Sequence, residues 1–521
     1  MMFPTLTPTP DMRPIPPRRG THRAVAVMAL MAVLALGFVA PSTAATPVVD
    51  ATVPAGGSIQ AAINAAPEGA RIGVSAGTYR IDSALSPKRG QKLLALGGAG
   101  TAVIKGSKVV TGWVKDGSSA RWYKNGLLPA AYSDPGQCEV NSGTAANPCK
   151  KREQVYRNGV ALNRAMQLSD LRPNGFFQDY QNNRTWLGSD PANTTMEIAR
   201  TPYAVNSSAY GVTLSGLKFA NFASPSQKGA VMAGGADWLI EGCVFTRNHA
   251  IGLHLANAAR ARVRNNTMIE NGQLGMGHYS SNNTIVENNE IARNNTAGYW
   301  GADWESGGFK STYSNGVTFR SNNVHDNRGT GVWFDINNIN SSIVGNSINN
   351  NYADGIRYEI SYKALISDNK LVGNGYGLAT GGGRGSDYSL YAVAAINVNS
   401  SPDVEIRQNV IGKNQNGITA QMRSRGSGTY GAWDLHNLYV HNNDVTLATG
   451  TRTGEGVQGL GTLSPVSPTT YYTSKNNRFD FNTYRMDATG AKRFSWNKTY
   501  MSFASLRATG QERNGRVVPA T

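Results

Sequence analysis

The sequence contains little cysteine, little charge and few long apolar runs. Only three of its 521 residues are cysteine, and 16% are charged. Neither the C-x-x-C nor the H-E-x-x-H spacing occurs, which excludes the common zinc-binding motifs. One long apolar run covers residues 24–40, and without a second such run the sequence predicts no membrane span downstream of it.

The start of the chain has the features of an export signal. The apolar run at 24–40 follows an arginine-containing stretch and precedes small residues at 42–45. This pattern is typical of a secretory signal peptide cleaved near Ala44 or Ala45. We expect residues 1–45 to be removed and the mature protein to be secreted. An uncleaved signal anchor is the alternative, although the apolar run is short for one.

The cysteines would meet an oxidising environment after export. Cys138 and Cys149 lie close together in a loop-rich stretch and could form a disulfide there. Cys243 falls at a position of the repeat described below, and we expect it to be a buried free thiol.

The charge is strongly positive although charged residues are few. The formal net charge is +17. Residues 1–45 hold four arginines and one aspartate, so removal of the signal lowers the net charge to +14. Such a surface favours anionic partners such as acidic glycans, cell-wall polymers or nucleic acid. A solvated basic exterior without a specific partner is the alternative.

Asparagine and glycine recur at regular spacing. Seven asparagines follow one another at steps of 23, 33, 24, 23, 40 and 34 residues, and a glycine that opens an alternating apolar strand typically follows eight or nine residues later. A basic period of 23 to 24 residues with three longer coils indicates a solenoid that has three short strands per coil. The asparagines are Asn266, Asn289, Asn322, Asn346, Asn369, Asn409 and Asn443.

The short apolar runs, punctuated by glycine and asparagine and without helical period, resemble the pectin-lyase-like superfamily over residues 56–105 and 210–480. The resemblance implies an all-β fold, a right-handed parallel β-helix solenoid in which each stacked asparagine bonds the neighbouring coils. Residues 58–66 are predicted to form a short amphipathic helix with Ser58 as N-cap. We expect this helix to cap the open end of the solenoid.

The repeat and its interruptions predict five segments. Residues 1–45 are the signal peptide, 46–106 the N-terminal cap and first coils, and 107–209 a β-rich insertion that breaks the period. Residues 210–446 are the main β-helix. Residues 447–521 are a C-terminal loop and cap.

Alternation along each strand allows the outward-facing side chains to be counted. The residue after each column glycine is apolar and is predicted to face the core, so the second and fourth residues face outward. Coils lie roughly 4.7–4.9 Å apart, which brings outward residues of neighbouring coils into one patch. The patch contains Lys310, Trp333, Arg357, Asp335 and Glu359, and the same columns contain His254, Tyr279 and Gln421.

The longer coils predict loops beside this patch, where solenoids often bind ligands. One insertion lies between Asn289 and Gly308; a second is expected to follow a strand that begins at Gly377, and a third follows Gly417. These loops are rich in aromatic residues, which suit sugar rings. The first carries Trp300, Asp303, Trp304 and Glu305, the second Tyr391, and the third Arg425.

Asp335 and Glu359 form the most informative pair. Two carboxylates on neighbouring coils repel, so one is expected to have a raised pKa and to hold a proton at neutral pH. Glycosidases use a protonated acid beside an ionised carboxylate. The two carboxyl groups are roughly 5–5.5 Å apart in a retaining enzyme and roughly 6.5–9.5 Å apart in an inverting one, and positions on adjacent coils favour the shorter distance. The alternative is that Arg357 and Lys310 merely pair with both acids on a solvated face.

The segments around this pair are also similar to a pattern in β-helix glycoside hydrolases, including β-xylosidase-type members. The matching residues are Gly331-Val332-Trp333-Phe334-Asp335 and, one coil later, Gly355-Ile356-Arg357-Tyr358-Glu359-Ile360. The resemblance implies that Asp335 is the nucleophile and Glu359 the acid/base. This chain departs from the pattern at Phe334, where an aliphatic residue is usual, and at Arg357.

The sequence thus predicts a secreted enzyme that hydrolyses glycosidic bonds of a polysaccharide or oligosaccharide. The alternatives are a polysaccharide lyase or uronate epimerase that uses Lys310 or Arg357, and a non-catalytic glycan-binding protein. We expect a monomer with no nucleic-acid partner and no cofactor, although Asp303 and Glu305 could bind Ca²⁺. The predicted substrate-binding residues are Lys310, Trp333, Arg357, Glu305, Trp304, Asp303, Trp300, His254, Tyr279 and Gln421.

Overall fold

A computed structural model describes residues 48–129, 148–380, 391, 393–447, 458–462, 466–488 and 490–520. These residues form a right-handed parallel β-helix, so the predicted fold class is confirmed. Each complete coil contributes one strand to each of three sheets, here called sheets 1, 2 and 3 in the order in which a coil visits them. No helix in the described part of the chain is long and apolar enough to span a membrane.

Sheet 1 has 13 parallel strands. They are Ala51–Val53, Arg71–Val74, Lys92–Ala95, Thr213–Ser215, Leu239–Glu241, Arg262–Arg264, Ile285–Glu287, Thr318–Arg320, Ser341–Val344, Ala364–Ser367, Val404–Arg407, Tyr439–His441 and Arg478–Asp480. Sheet 2 also has 13 strands. They are Gly77–Arg80, Ala102–Lys105, Lys218–Ala220, Val244–Thr246, Thr267–Ile269, Glu290–Ala292, Asn323–His325, Ser347–Asn349, Lys370–Val372, Val410–Ile411, Asp444–Thr446, Thr483–Met486 and Arg516–Pro519.

Sheet 3 has 12 strands, of which only the last is antiparallel to its neighbour. They are Val205–Ser207, Gly229–Ala233, Ile251–Ala256, Leu274–Tyr279, Gly307–Thr312, Thr330–Asp335, Ile356–Glu359, Ala394–Asn399, Asn416–Met422, Gln458–Thr462, Phe494–Trp496 and Thr499–Met501. The middle strands of sheet 3 are the longest in the solenoid, and they carry the predicted outward patch.

The core is a set of stacked apolar columns inside the coils. In sheet 3 the column runs in register through consecutive strands, and every member is fully buried. Stacking of apolar side chains from successive coils removes each of them from water without a change of coil shape. The column contains Met276, Phe309, Val332, Ile356 and Ile396.

Asparagine ladders stabilise the corners between the sheets. The predicted ladder lies between sheets 1 and 2, where each amide bonds the next asparagine and a carbonyl of the preceding coil. It continues beyond Asn443 to Asn482. A second ladder, not predicted, occupies the corner between sheets 2 and 3. Its members are Asn248, Asn271, Asn294, Asn327, Asn351, Asn374 and Asn414.

Short helices lie at the ends and in one coil. The N-terminal helix Ile59–Ala65 buries Ile59 and Ile63, and Ser58 Oγ accepts from the Ala61 amide as its N-cap. Further helices in the described residues are Tyr376–Thr380, Thr470–Thr473 and Phe503–Ala508, and 3₁₀ turns there are Pro148–Lys150 and Leu168–Asp170.

Two small sheets occupy the interruption of the period. One contains Ser107–Val109, Val155–Arg157, Val160–Ala161 and Met196–Ala199, and the other Val114–Lys115, Trp122–Asn125, Asn163–Ala165, Gly175–Asp179 and Arg184–Leu187. Cys149 is disulfide-bonded; Cys138, its predicted partner, lies outside the described residues. Cys243 is free and buried, and burial raises its pKa to about 12.

The limits of the solenoid differ from the predicted ones. Strand Val205–Ser207 already pairs within sheet 3, before residue 210, and strands continue to Arg516–Pro519, well past 446. The repeat spacing failed to reveal the late coils because long insertions separate their strands. The region 448–457, inside the predicted C-terminal loop, lies outside the described residues.

One strand assignment was wrong. The segment at Gly377 forms a helical turn, and the sheet 3 strand of that coil is Ala394–Asn399. The second insertion therefore precedes the strand instead of following it. The outward residues in this coil are Asn397 and Asn399, in register with Arg357 and Glu359.

Candidate functional site

The predicted outward patch exists as the floor of a site on sheet 3. Strands Gly307–Thr312, Thr330–Asp335 and Ile356–Glu359 are neighbours in register. We call Lys310, Trp333, Arg357, Asp335 and Glu359 the groove floor. Lys310 lies opposite Trp333 and Trp333 opposite Arg357, while Asp335 lies opposite Glu359. Alternation along the strands places all five on the outer face, yet each is less than a tenth exposed.

Lys310 is held by two carboxylates. Its Nζ lies 2.8 Å from Glu305 Oε1 and 2.9 Å from Asp335 Oδ2. Burial acts to lower the pKa of Lys310, but the carboxylates of Asp335 and Glu305 outweigh it and raise the pKa. Lys310 is therefore a firmly charged ammonium that neutralises and orients Asp335.

Arg357 is held in the same way by two other acids. Its guanidinium lies 2.6 Å from Asp303 Oδ1 and 2.6 Å from Asp354 Oδ2. Burial raises the pKa of Asp354, which the guanidinium only partly opposes. Lys310 Nζ and the Arg357 guanidinium lie 3.9 Å and 4.7 Å from the centroid of the Trp333 ring, so two cations contact this indole.

The carboxylate pair has separate partners. Both side-chain hydrogen bonds of Glu359 within the described residues reach Oε1, from Asn399 Nδ2 at 2.8 Å and Arg425 at 2.7 Å. Asp335 uses Oδ2 for Lys310, and among the described residues its buried Oδ1 has no hydrogen-bond partner. The alternative that Arg357 and Lys310 pair with both acids holds for Lys310 and Asp335 only. Arg357 pairs with Asp303 and Asp354, and Glu359 pairs with Arg425.

Two other buried polar atoms on this face also lack a hydrogen-bond partner within the ranges that the structure describes. They are Trp333 Nε1, an N–H donor, and Gln421 Oε1, an acceptor. Gln421 donates from Nε2 to Asn397 Oδ1 at 3.1 Å. An unpaired buried donor or acceptor costs about 1–3 kcal/mol, so such atoms indicate where a polar ligand would be accepted.

The loop over 295–306 forms one wall. Asn295 Nδ2 bonds the carbonyl of Trp300 and the hydroxyl of Ser306, and Trp300 Nε1 donates to Ser226 Oγ at 2.9 Å. This anchoring presents Asp303 to Arg357 and Glu305 to Lys310. The structure does not bring Trp300 to the floor, because its ring packs in a separate cluster with Cys149 and Ala250. Trp304 packs against the cluster that contains Trp300.

The loop after Met422 forms the opposite wall. It contains a hairpin of Ser427–Gly428 and Gly431–Ala432. The Thr429 amide donates to Asn337 Oδ1 at 3.0 Å, and Tyr362 Oη donates to the Gly431 carbonyl at 2.8 Å. These bonds hold the loop against sheet 3, from where Arg425 reaches Glu359.

The groove is covered at its C-terminal end. The Tyr391 carbonyl accepts from Asn397 Nδ2 and from Thr419 Oγ1, and the Tyr391 hydroxyl bonds Ser495 Oγ at 2.7 Å. Tyr391 therefore lies across the outer face of the later coils. The open part of the groove lies on the side of the earlier coils.

His254 and Tyr279 lie on those earlier coils, beside a cavity of about 360 Å³ that Lys310 and Glu305 also line. Burial lowers the pKa of His254 to about 4, so the ring is neutral at neutral pH. Tyr279 is 44% exposed and packs edge-on against Tyr313.

Sequence reasoning missed three residues of the site. Asp354 and Asn399 were not considered, and Arg425 was noted only as part of a loop. Asp354 lies three residues before Arg357, a spacing that could have suggested the pair. Asn399 could not be placed because the strand in its coil was assigned wrongly. Arg425 could not be placed because the path of its loop was unknown.

The donor set does not fit Ca²⁺. Asp303 and Glu305 each bond a cation of the protein, which leaves no cluster of free carboxylates. Within the described ranges no group of three or more His, Cys, Asp or Glu side chains could hold a metal ion.

Known proteins resemble this chain in fold. A family model described as a right handed beta helix region matches residues 228–392, and no curated protein matches. The complex structure of XylC with xylose is 16% identical, with a TM-score of 0.61 over 88% of this chain and 82% of that one. The mannuronan C-5 epimerase AlgE4 A-module of Azotobacter vinelandii is 13% identical, with a TM-score of 0.46 over 90% of this chain and 100% of that one. The catalytic unit of a GH87 alpha-1,3-glucanase from Streptomyces thermodiastaticus is 12% identical, with a TM-score of 0.49 over 92% and 70%. At 16% identity the likeness to XylC shows the β-helix fold alone.

Proposed function

We propose that this protein is a secreted carbohydrate-active enzyme that hydrolyses glycosidic bonds, with Asp335 and Glu359 as its reacting carboxylates. The observation that carries the proposal is their position opposite each other on adjacent strands, on the floor of a walled groove. Adjacent parallel strands are roughly 4.8 Å apart, which suits a retaining mechanism. The likeness in fold to XylC, solved with xylose, makes xylosides the first substrates to test.

Asp335 is the proposed nucleophile. Lys310 holds its Oδ2, while Oδ1, which has no hydrogen-bond partner in the described part of the chain, is the oxygen that would attack. In the first step Oδ1 bonds to the anomeric carbon, the glycosidic bond breaks, and Glu359 gives its proton to the leaving oxygen. The product of this step is a glycosyl ester of Asp335 and a free alcohol.

Glu359 is the proposed acid/base. Asn399 and Arg425 fix Oε1, so Oε2 is the atom that would carry the transferable proton. In the second step Glu359 takes a proton from water, the water oxygen bonds to the anomeric carbon, and the ester to Asp335 breaks. Both carboxyl groups then return to their starting forms.

The lyase and epimerase alternatives have less support. A lysine base must be neutral, but the pKa of Lys310 is raised by its two carboxylates. Arg357 would have to leave Asp303 and Asp354 in order to clamp a uronate or act as a base. A non-catalytic glycan-binding protein is the remaining alternative, which an activity test decides.

Activity of paired variants tests the proposal. Asp335→Asn should abolish turnover of every substrate, because the covalent step is lost. Glu359→Ala should lose activity on natural glycosides but still react with activated aryl glycosides, whose leaving groups need no proton. Added azide should then restore turnover and give a glycosyl azide of the same anomeric configuration as the substrate. Wild-type activity in both variants would refute the assignment, and ultraviolet-absorbing unsaturated products would indicate a lyase.

A further inference from the structure

A cavity of about 360 Å³ adjoins the groove floor on the side of the earlier coils. Lys310 and Glu305 line it. Lys310 pairs with Glu305 and also with Asp335. The cavity therefore borders the site around Asp335. Because Tyr391 covers the outer face of the later coils, this is the direction in which a bound chain of sugars can extend. We call the space the tyrosine cavity, after Tyr279 and Tyr313.

The lining of the tyrosine cavity suits a sugar ring. Tyr279 and Tyr313 are each 44% exposed, with ring centroids 5.6 Å apart in an edge-on arrangement. Their rings offer an apolar face together with hydroxyl groups. His254 Nδ1 lies 3.1 Å from the Gln227 carbonyl. A carbonyl can only accept, so Nδ1 carries the proton in this bond and Nε2 of the neutral ring is an acceptor for a sugar hydroxyl.

The cations of the groove floor are not available to an acidic group on the substrate. Lys310 and Arg357 are each bonded to two carboxylates of the protein. Lys228 is different: it lines the tyrosine cavity, its side chain is exposed, and no carboxylate in the described ranges pairs with its ammonium. It lies close enough to His254 to lower that residue's pKa through its charge. Lys228 is thus the cation in the cavity that a substrate carboxylate could meet.

We propose that the tyrosine cavity binds a sugar unit beyond the cleaved bond, and that this unit carries a carboxylate held by Lys228. The substrate is then an acidic oligosaccharide or polysaccharide that contains a uronate. The reaction at the neighbouring carboxylate pair rests on the proposed hydrolase function, but binding in the cavity does not.

Binding and activity are measured separately. Binding of Asp335→Asn, which cannot turn over its ligand, is measured on an array that pairs neutral glycans with their uronate-bearing counterparts. Uronate-bearing glycans should be preferred, and Lys228→Met in the same background should weaken their binding about tenfold, as expected for one charge-assisted hydrogen bond. Binding of neutral glycans should stay unchanged. Lys370→Met, which removes an exposed lysine from sheet 2, is the matched control and should change neither.

The outcomes separate the two proposals. Activity of the wild type on aryl monoglycosides tests the hydrolase by itself. No preference for uronates, or an equal loss of acidic and neutral glycans in Lys228→Met, would overturn the acidic subsite. Absence of aryl glycosidase activity in the wild type would refute the hydrolase and leave the array result to decide what the cavity binds. Tyr279→Ala should weaken both glycan classes, whereas Tyr210→Ala, at an exposed tyrosine elsewhere, should weaken neither.

Discussion

At the scale of single residues, charge pairing organises the groove floor. Lys310 stands between Glu305 and Asp335, and it also contacts the Trp333 ring. Its side chain is only 6% exposed and that of Asp335 only 10%, so Asp335 would be left with little solvation if the ammonium were lost. These contacts support a role for Lys310 in holding Asp335, the proposed nucleophile, while its contact with a substrate stays a prediction.

Lys310→Met tests that role. Removing one partner of a buried ion pair costs about 3–5 kcal/mol because the remaining charge is uncompensated. The free energy of unfolding in denaturant should fall by about 3 kcal/mol, and activity on neutral and acidic glycosides should fall together. The exposed Lys370→Met is the control. An effect restricted to acidic substrates, with stability unchanged, would instead mean that Lys310 binds the substrate.

The sequence was sufficient for some site residues and not for others. Asp335 and Glu359 could be placed because strands alternate with a period of two and the glycine column fixes their register. The residues that pair with the groove floor from the loops could not be placed in this way. Arg425 and Asp303 reach the floor from loops, whose paths depend on anchoring contacts such as the bond from Trp300 to Ser226, and no local pattern encodes such contacts.

At the scale of elements, the corners of the solenoid depend on asparagine. Asn346 Oδ1 accepts from the backbone amide of Asn322, and its Nδ2 donates to the Phe319 carbonyl at 3.0 Å and to Asn369 Oδ1 at 2.9 Å. Each amide thus serves backbone groups that the turn would otherwise bury without partners. The second ladder repeats this arrangement at the next corner.

Asn346→Leu should therefore destabilise the fold. It leaves a buried amide and a buried carbonyl without partners, at a cost of about 1–3 kcal/mol for each group. Chemical denaturation should show a loss of about 3 kcal/mol. The control is Asn323→Leu, an exposed strand position one residue past the preceding ladder asparagine. Equal stability of the two variants would contradict the structural role of the ladder.

The misplaced strand shows where repeat counting fails. Gly377 has the expected distance from Asn369, but the segment at Tyr376–Thr380 is helical and the strand starts at Ala394. A glycine marks a strand start only if an alternating run follows, and Ala394-Ala395-Ile396-Asn397-Val398-Asn399 is the better run. Spacing alone cannot locate an insertion within a coil.

At the scale of the whole molecule, the last asparagine rung ends on a buried acid. Glu512 is fully buried and accepts from Asn482 Nδ2 at 2.7 Å and from Tyr484 Oη at 2.6 Å. Burial raises its pKa to about 7, although these bonds act to lower it. The folded protein therefore holds this proton at a pH where the unfolded chain has already released it.

Glu512 gives stability a defined pH dependence. Because its pKa is raised in the folded state, its contribution is full below about pH 4.5 and is lost as the pH rises to about 7, by roughly 3 kcal/mol. Glu512→Gln keeps an oxygen acceptor and cannot ionise. Denaturation at pH 4.5, 6 and 8 measures the free energy of unfolding of both proteins. The difference, variant minus wild type, should increase up to about pH 7 and stay constant above it. Glu68→Gln controls for the loss of one exposed carboxylate, and a pH-independent difference for Glu512→Gln would refute the account.

The solenoid as a whole was predictable because one period governs most of its length. Self-similar coils impose the same corner and the same inward columns again and again. The insertion between Ser107 and Ala199 and the last coils lack that repetition, so their strands pair through long-range contacts that the sequence pattern does not specify.

The covalent step at Asp335 is the central claim, and peptide mass spectrometry tests it most directly. Glu359→Ala is incubated with an activated aryl glycoside, quenched in acid and digested. Because deglycosylation needs Glu359 as base, the glycosyl-enzyme should accumulate, and the peptide that contains Asp335 should gain the mass of one glycosyl unit. The same peptide from the double variant Asp335→Asn, Glu359→Ala should be unmodified. Aryl release without any adduct, or an adduct on another residue, would contradict the assignment.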